Sequence, residues 1–323
     1  MVRIRPHATG VGTQLTRHFQ AARNVLDPAE HPALAGAVNA TLKPIVHATV
    51  IALGLSSAGM AREPDQVVVY KKTKQAELKL HIFQPPGHQP SEKRPAIVFF
   101  FGGGWNSGKP GQFFPHCEYL ASRGMVAASA EYRVKSAHGT TPRECVMDGK
   151  SAVRWLRQHA GELGIDPQRI AAGGGSAGGH VAAATAIPDH FEEPDEDKGV
   201  SCRPDALVLY NPVFDNGPGG YGHDRVKEYW KEISPMHHIG KNTPPTVVFL
   251  GTKDHLIPVT TAEKYRRLME ENGRRCDLHL YEDQKHGFFN QTNRKYYLKT
   301  LLETDRFLKS LGYLEGEPTI GAD

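Results

Sequence analysis

The chain has 323 residues with ordinary globular usage, 39% hydrophobic and 23% charged, which fits one domain plus an extension. The formal net charge is only +4 and no basic stripe runs along the sequence, which argues against nucleic-acid binding. The four cysteines form no C-x-x-C pair, so their spacing gives no support for a zinc site.

The first 61 residues differ from the rest of the chain. A short basic start precedes an apolar run from 44 to 55, and small residues then lead to Ala61. This order is typical of a secretory signal peptide, and the run is too short to predict a membrane span. We therefore expect a signal peptide at about 42–61 and a secreted or periplasmic mature chain. The alternative is a cap segment before the first strand, in a cytoplasmic protein.

The body of the chain, residues 62–323, alternates strand-like and helix-like segments without an internal repeat. The strands are predicted at 66–70, 78–83, 95–101, 126–129, 169–172, 207–210, 246–251 and 277–281. Helices are predicted near 114–123 and 142–163. This alternation predicts an α/β fold whose mostly parallel sheet of about eight strands is covered by helices on both faces. The stretch 211–240 interrupts the alternation and is either a lid or a solvated loop.

The most informative segment is the glycine-rich run 171–180, which contains G-x-S-x-G centred on Ser176. A strand-like run precedes it and a small-residue helical run follows, which is the context of a nucleophile elbow. Glycines on both sides of the serine tolerate the sharp turn, and the following helix N-terminus favours negative charge. A phosphate-binding loop is disfavoured because no Lys-Ser/Thr follows the glycines.

A nucleophilic serine on this kind of turn needs an acid and a base, in the chain order Ser, Asp/Glu, His. Asp254 lies just past the end of the predicted strand 246–251, and His286 lies in the loop between the last predicted strand and the last helix. We therefore predict Ser176, Asp254 and His286 as a catalytic triad. Three nearby side chains are rivals that fit the layout less well: His255 as base, and Glu282 and Asp283 as acid.

A predicted buried strand ends at Phe101 and is followed by three glycines and Trp105. Glycines at this point allow main-chain N–H groups to face a developing oxyanion. We predict that the N–H groups of Gly103 and Gly104, with that of Ala177 after the serine, form the oxyanion hole. The alternative is a flexible turn after a strand.

These motifs together resemble the α/β-hydrolases of the hormone-sensitive-lipase and acetyl-esterase branch, close to carbohydrate-esterase-like bacterial enzymes such as xylan and feruloyl esterases. The resemblance spans about residues 64–314. It is carried by the segments 101–105, 130–133, 174–178, 251–254 and 286–287. One departure is Phe101, which stands where the branch usually has histidine, although the glycines that supply N–H groups are present.

The resemblance implies a serine carboxylic-ester hydrolase for short acyl esters, with acetyl or feruloyl groups on polysaccharide, or small-molecule esters, as substrates. It implies no metal and no organic cofactor. Trp105, Tyr221 and Trp230 are candidate sugar-stacking residues, with burial as the competing explanation. A serine peptidase of the prolyl-oligopeptidase type and a non-catalytic binding protein remain alternatives, and the oligomeric state is open.

Two further expectations concern local features. If the chain is exported, Cys117 and Cys145 are the pair expected to form a disulfide, with buried free thiols as the alternative. The acidic run 192–197 is predicted to be a solvated turn.

Overall fold

Eight strands form a single sheet in the computed structural model, which describes residues 62–320. The strands are β1 Gln66–Lys72, β2 Glu77–Phe83, β3 Arg94–Phe100, β4 Val126–Ala130, β5 Ile165–Gly175, β6 Ala206–Tyr210, β7 Thr246–Gly251 and β8 Cys276–Tyr281. Their order across the sheet is β1-β2-β4-β3-β5-β6-β7-β8. The β1–β2 and β2–β4 pairs are antiparallel and all the others are parallel. The predicted mostly parallel sheet is confirmed.

The central strands are covered on both faces, and their sequences show it. Every residue of β4, β6 and β7 is buried, and the apolar run of β3 is buried from Pro95 onward. Strands buried on both faces have nearly continuous apolar sequences rather than an alternating pattern. The edge strand β1, by contrast, leaves most of its residues exposed or half-buried.

Helices pack on both faces of the sheet. They are α1 Phe114–Ser122, α2 Lys135–His138, α3 Pro142–Gln158, α4 Ala177–Ala184, α5 His223–Val226, α6 Trp230–Ile233, α7 Val259–Glu271 and α8 Arg294–Ser310. The buried faces of α1 and α8 share one hydrophobic cluster, and those of α3, α4 and α7 share another. None of the helices found in residues 62–320 is long and apolar enough to cross a membrane.

Helix α3 has the strongest start signal in the sequence. Thr141 and Glu144 form a capping box, and Pro142 occupies the first turn, where its missing N–H costs nothing. The helix ends at Gln158, earlier than the predicted 163, because His159 already leaves helical backbone angles with φ −98° and ψ 19°.

The expected disulfide between Cys117 and Cys145 is wrong. Cys117 lies in α1 and Cys145 in α3, on opposite faces of the sheet, so the sheet separates the two sulfurs. All four cysteines are free and buried. Burial raises the pKa of the Cys117 and Cys145 thiols well above the usual value, which keeps both protonated and unreactive.

The acidic run 192–197 is more than a solvated turn. The Glu192 carboxylate pairs with two buried cations, Lys150 at 3.0 Å and Arg154, both of α3. Glu193 pairs with Lys71 at 2.6 Å. Burial would raise the pKa of Glu192, but its cationic partners lower it below the usual value. These pairs hold the loop between α4 and β6 against the α3 side of the domain.

The predicted signal segment and the boundary at residue 61 lie outside the described residues.

Candidate active site

Five neighbouring parallel strands end at the same edge of the sheet. Phe100 of β3 pairs with Gly174 of β5, and Gly175 pairs with Tyr210 of β6. The loops that follow β3, β5, β6, β7 and β8 therefore lie side by side. Ligand sites of open α/β sheets form at this edge.

Ser176 occupies a strained turn between β5 and α4. Its backbone angles, φ 55° and ψ −121°, are unusual for a residue with a side chain. A Cβ on Gly174 would lie 2.4 Å from the Gly178 oxygen, and one on Gly178 would lie 2.0 Å from the Phe100 oxygen. Only glycine fits at either position, so the G-x-S-x-G spacing follows from close backbone approach. Strain of this kind concentrates at functional sites.

Ser176, His286 and Asp254 are connected by hydrogen bonds. The Ser176 hydroxyl lies 2.8 Å from Nε2 of His286, and Nδ1 of His286 lies 2.7 Å from Oδ2 of Asp254. The other carboxylate oxygen of Asp254 accepts hydrogen bonds from the N–H groups of Leu256 and Ile257, at 2.8 and 2.9 Å. The Asp254 side chain is fully buried, which fixes the acceptor and, through it, the orientation of the imidazole. This arrangement can transfer the serine proton to Nε2.

The rival acid and base face elsewhere. The Asp283 side chain is 62% exposed and pairs with Lys253 at 2.6 Å. His255 is exposed to solvent. In the described part of the chain, the hydrogen bonds of Ser176 and His286 involve neither of these two side chains.

The loop after β3, residues 102–105 (the oxyanion loop), lies against the serine. A Cβ on Gly102 would lie 3.4 Å from Cβ of Ser176. Gly103 and Gly104 have φ angles of 128° and 61°, in the region that favours glycine. Within residues 62–320, the N–H groups of Gly103, Gly104 and Ala177 donate to no other protein group. They are therefore available to an oxyanion, in contrast to the N–H of Gly102, which donates to Gln112 at 2.7 Å.

Trp105 anchors this loop instead of facing a ligand. Its side chain is buried, with 2% exposed, and its indole N–H donates to Nδ1 of His180 at 3.3 Å. Burial lowers the pKa of His180 to about 4, so the ring stays neutral and can accept this bond. Nε2 of His180 in turn donates to the Ile233 carbonyl at 3.0 Å. Trp105 therefore joins the oxyanion loop to α4.

A pocket of about 780 Å³ opens over Ser176. Tyr221 and Arg225, from the stretch between β6 and β7, contribute to one side of it, and Leu256 and Phe289 contribute apolar surface. The structure thus brings Tyr221 to the pocket but not Trp230, whose ring packs against His237 at a centroid distance of 4.9 Å. A larger cavity of about 1020 Å³ lies elsewhere and includes none of the triad candidates.

Four amide residues line this pocket, and the sequence predicted none of them. Three of them, Gln112, Asn211 and Asn290, lie close to His286 or to the oxyanion loop. Asn211 directly follows β6, is fully buried and has φ 34°, a conformation that asparagine tolerates better than most residues. Its Oδ1 accepts from the N–H of Gly287 at 2.9 Å, and its Nδ2 lies 3.4 Å from Nε2 of His286. The only sequence signal was an Asn-Pro pair at the end of a buried strand.

No group of three or more His, Cys, Asp or Glu side chains within the described range, 62–320, is arranged to hold a metal ion.

Two family models and a set of solved structures match this chain. The sequence model of the BD-FAE family matches residues 80–206, and that of the dienelactone hydrolase family matches residues 218–306. The apo form of Thermogutta terrifontis esterase 2 is 44% identical, with a TM-score of 0.76, over 81% of this chain and 100% of that chain. This chain belongs to the α/β-hydrolase esterases. Within them it falls in the hormone-sensitive-lipase-like branch, as the motifs indicated.

Other relatives of this chain are more distant or were solved with ligands. The propionate-bound Thermogutta enzyme is 45% identical, with a TM-score of 0.74, over 78% of this chain and 96% of that chain. Esterase LipC of Mycobacterium tuberculosis is 29% identical over 196 residues, covering 54% of this chain and 48% of LipC. The acetylxylan esterase of Xylanibacter ruminicola is 26% identical over 233 residues, covering 67% of this chain and 45% of that enzyme. This chain spans about half the length of these two curated relatives.

Proposed function

We propose that the protein is a serine carboxylic-ester hydrolase that acts on short acyl esters, with Ser176 as nucleophile, His286 as general base and acid, and Asp254 as the residue that orients the histidine. The observation that carries this proposal is the hydrogen-bonded series from Ser176 through His286 to Asp254, next to three N–H groups that donate to no protein group in the described range. Each of these features alone is common, but together they match the needs of acyl transfer.

In the first half of the proposed reaction, Ser176 Oγ bonds to the ester carbonyl carbon while its proton moves to Nε2 of His286. The carbonyl oxygen becomes an oxyanion and accepts hydrogen bonds from the N–H groups of Gly103, Gly104 and Ala177. The carbon–oxygen bond to the alcohol then breaks, and His286 returns the proton to the leaving oxygen.

In the second half, water attacks the acyl-enzyme and gives its proton to His286. A second oxyanion forms and accepts hydrogen bonds from the same N–H groups. Collapse of this intermediate releases the carboxylic acid and returns the proton to Ser176 Oγ. Asp254 stays ionised throughout and stabilises the protonated imidazole.

Acetyl groups on polysaccharide or on small alcohols are the proposed substrates, with feruloyl esters as the second candidate. Support comes from the relative named as an acetylxylan esterase and from the structural neighbour solved with propionate and with butyrate. The pocket adds a physical argument, because Tyr221 lines it beside the oxyanion loop. The Tyr221 hydroxyl lies 3.2 Å from the position that a Cβ on Gly104 would take, which limits the space there.

A panel of p-nitrophenyl esters with acyl chains of increasing length, beside acetylated and feruloylated xylan, tests the substrate proposal. We expect kcat/KM for the acetyl ester to exceed that for the octanoyl ester. A profile that peaks at long chains would indicate a lipase-like pocket. Cleavage of proline-containing peptides in place of esters would favour the peptidase alternative.

Export from the cytoplasm is proposed on the sequence pattern of residues 42–61 alone. In the native host, intact-mass measurement of the purified protein should give a chain that begins near Arg62. A cytoplasmic chain that retains those residues would contradict the proposal.

A further inference from the structure

A series of side-chain amides joins the two loops that the proposed reaction depends on. The N–H of Gly102 donates to Oε1 of Gln112 at 2.7 Å, and Nε2 of Gln112 donates to Oδ1 of Asn290 at 2.8 Å. Nδ2 of Asn290 then donates to the carbonyl of Gly287 at 2.7 Å. The first residue belongs to the oxyanion loop, and the last directly follows His286.

The Gly287 peptide is also held from the other side. Its N–H donates to Oδ1 of Asn211 at 2.9 Å, and its φ of 82° places it in the region that favours glycine. The backbone next to His286 is thus fixed by two asparagines on two different elements. Only one of them, Asn290, connects onward to the oxyanion loop.

The bridge between Gln112 and Asn290 spans 178 residues of sequence. In residues 62–320, no backbone–backbone hydrogen bond joins the segment 102–113 to the segment 286–293. Gln112 belongs to a 3-10 turn, Pro110–Phe113, before α1, and Asn290 belongs to the loop between β8 and α8. Each amide uses both its oxygen and its nitrogen in the series, so neither can rotate without losing two hydrogen bonds. Because the N–H of Gly102 donates to Gln112, it is not available to an oxyanion. The N–H groups of Gly103 and Gly104 are then the available donors of this loop.

We propose that Gln112 and Asn290 are positioning residues that hold the oxyanion loop in register with His286. The inference rests on the proposed esterase function. It has a physical basis, because transition-state donors must be held within about 0.5 Å of the productive geometry and a displacement of about 1 Å can cost about 10²-fold in rate. Neither amide is assigned a bond to the substrate.

Isosteric variants separate this role from simple structural support. Gln112→Met and Asn290→Leu each remove the bridge with little change in volume, and Gln112→Glu keeps an acceptor for Gly102 while it removes the donor to Asn290. We expect each single variant to lower kcat for the acetyl ester by about 10- to 100-fold, with KM within about threefold, because the oxyanion contacts form mainly in the transition state.

The kcat of the double variant Gln112→Met/Asn290→Leu should be about equal to that of the slower single variant. The reason is that the two side chains act as one unit, so loss of either one already breaks the bridge. Gln168→Met is the matched control, because Gln168 is exposed and far along the chain from both loops. It should keep the wild-type kcat. The melting temperature of each variant is measured beside its kinetics. This separates a loss of stability from a loss of kcat in a protein that is still folded.

Multiplicative losses in the double variant, or a kcat within about twofold of wild type in Gln112→Met, would overturn the inference. A variant that melts at a lower temperature, but keeps the wild-type kcat at temperatures where it is folded, would show that the bridge contributes to stability alone. If Gln112→Met does not fold, Gln112→Glu gives the same comparison. Failure of the esterase proposal itself is a different result: the wild type would not hydrolyse esters, or Ser176→Ala would still do so.

Discussion

Replacement of Asp254 by asparagine should almost abolish ester hydrolysis while the fold is retained. In the variant, the one remaining side-chain oxygen is needed by two main-chain N–H groups, those of Leu256 and Ile257, so the new amide nitrogen faces Nδ1 of His286. A donor at this position favours the tautomer that carries its proton on Nε2, which cannot accept the serine proton. We expect turnover to fall by about 10⁴-fold, which corresponds to about 5.4 kcal/mol of transition-state stabilisation.

Asp283→Asn is the matched control. Asp283 lies in the loop after β8, at the same edge of the sheet as Asp254. Its side chain is exposed and pairs with Lys253 instead of His286. Its loss should change kcat by less than about twofold, as exposed ion pairs contribute little. Initial rates on p-nitrophenyl acetate, with circular dichroism to check folding, measure both variants. A larger loss in Asp283→Asn than in Asp254→Asn would refute the assignment of the acid.

Further predictions concern the oxyanion loop and the acidic run. Gly104→Val should lower kcat by about 10²–10³-fold with a smaller change in KM, since φ is 61° and the new Cβ would lie 3.2 Å from the Tyr221 hydroxyl; an unchanged rate would move the oxyanion hole elsewhere. Glu192→Gln should destabilise the fold by about 3 kcal/mol in urea unfolding, because Lys150 loses a charged partner, whereas the exposed Glu162→Gln should not. The folded-state pKa of Glu192 is lowered, so its stabilisation is present above the usual pKa and is lost as pH falls through the folded value. Wild-type stability should therefore fall more steeply below about pH 4.5 than that of the Gln variant.

The sheet was predictable because its signals are local. Apolar runs such as that of β3 indicate strands buried on both faces, and the glycines at 174 and 178 mark a turn where only glycine fits. The order of Ser176, Asp254 and His286 along the chain, each in the loop that follows a predicted strand, was enough to expect them at one edge of a parallel sheet. Their catalytic roles remain predictions.

The rest depends on contacts between distant segments. Gln112 and Asn290 meet across 178 residues, and no periodicity or spacing marks either of them. Burial of Trp105 depends on His180 of α4, which the sequence near the tryptophan does not reveal. The disulfide prediction failed for the same reason, because the positions of Cys117 and Cys145 on two helices flanking a strand did not say which face each helix covers.

The central claim is that Ser176 forms a covalent acyl-enzyme, and labelling by a serine-directed sulfonyl fluoride tests it most directly. Intact-mass and peptide mass spectrometry should show one adduct per wild-type chain, on the peptide that contains Ser176, with loss of ester hydrolysis in proportion to labelling. Ser176→Ala should take up no adduct, keep the wild-type melting temperature and lose several orders of magnitude in turnover. An adduct on another residue, or more than about a tenth of wild-type turnover in Ser176→Ala, would contradict the claim.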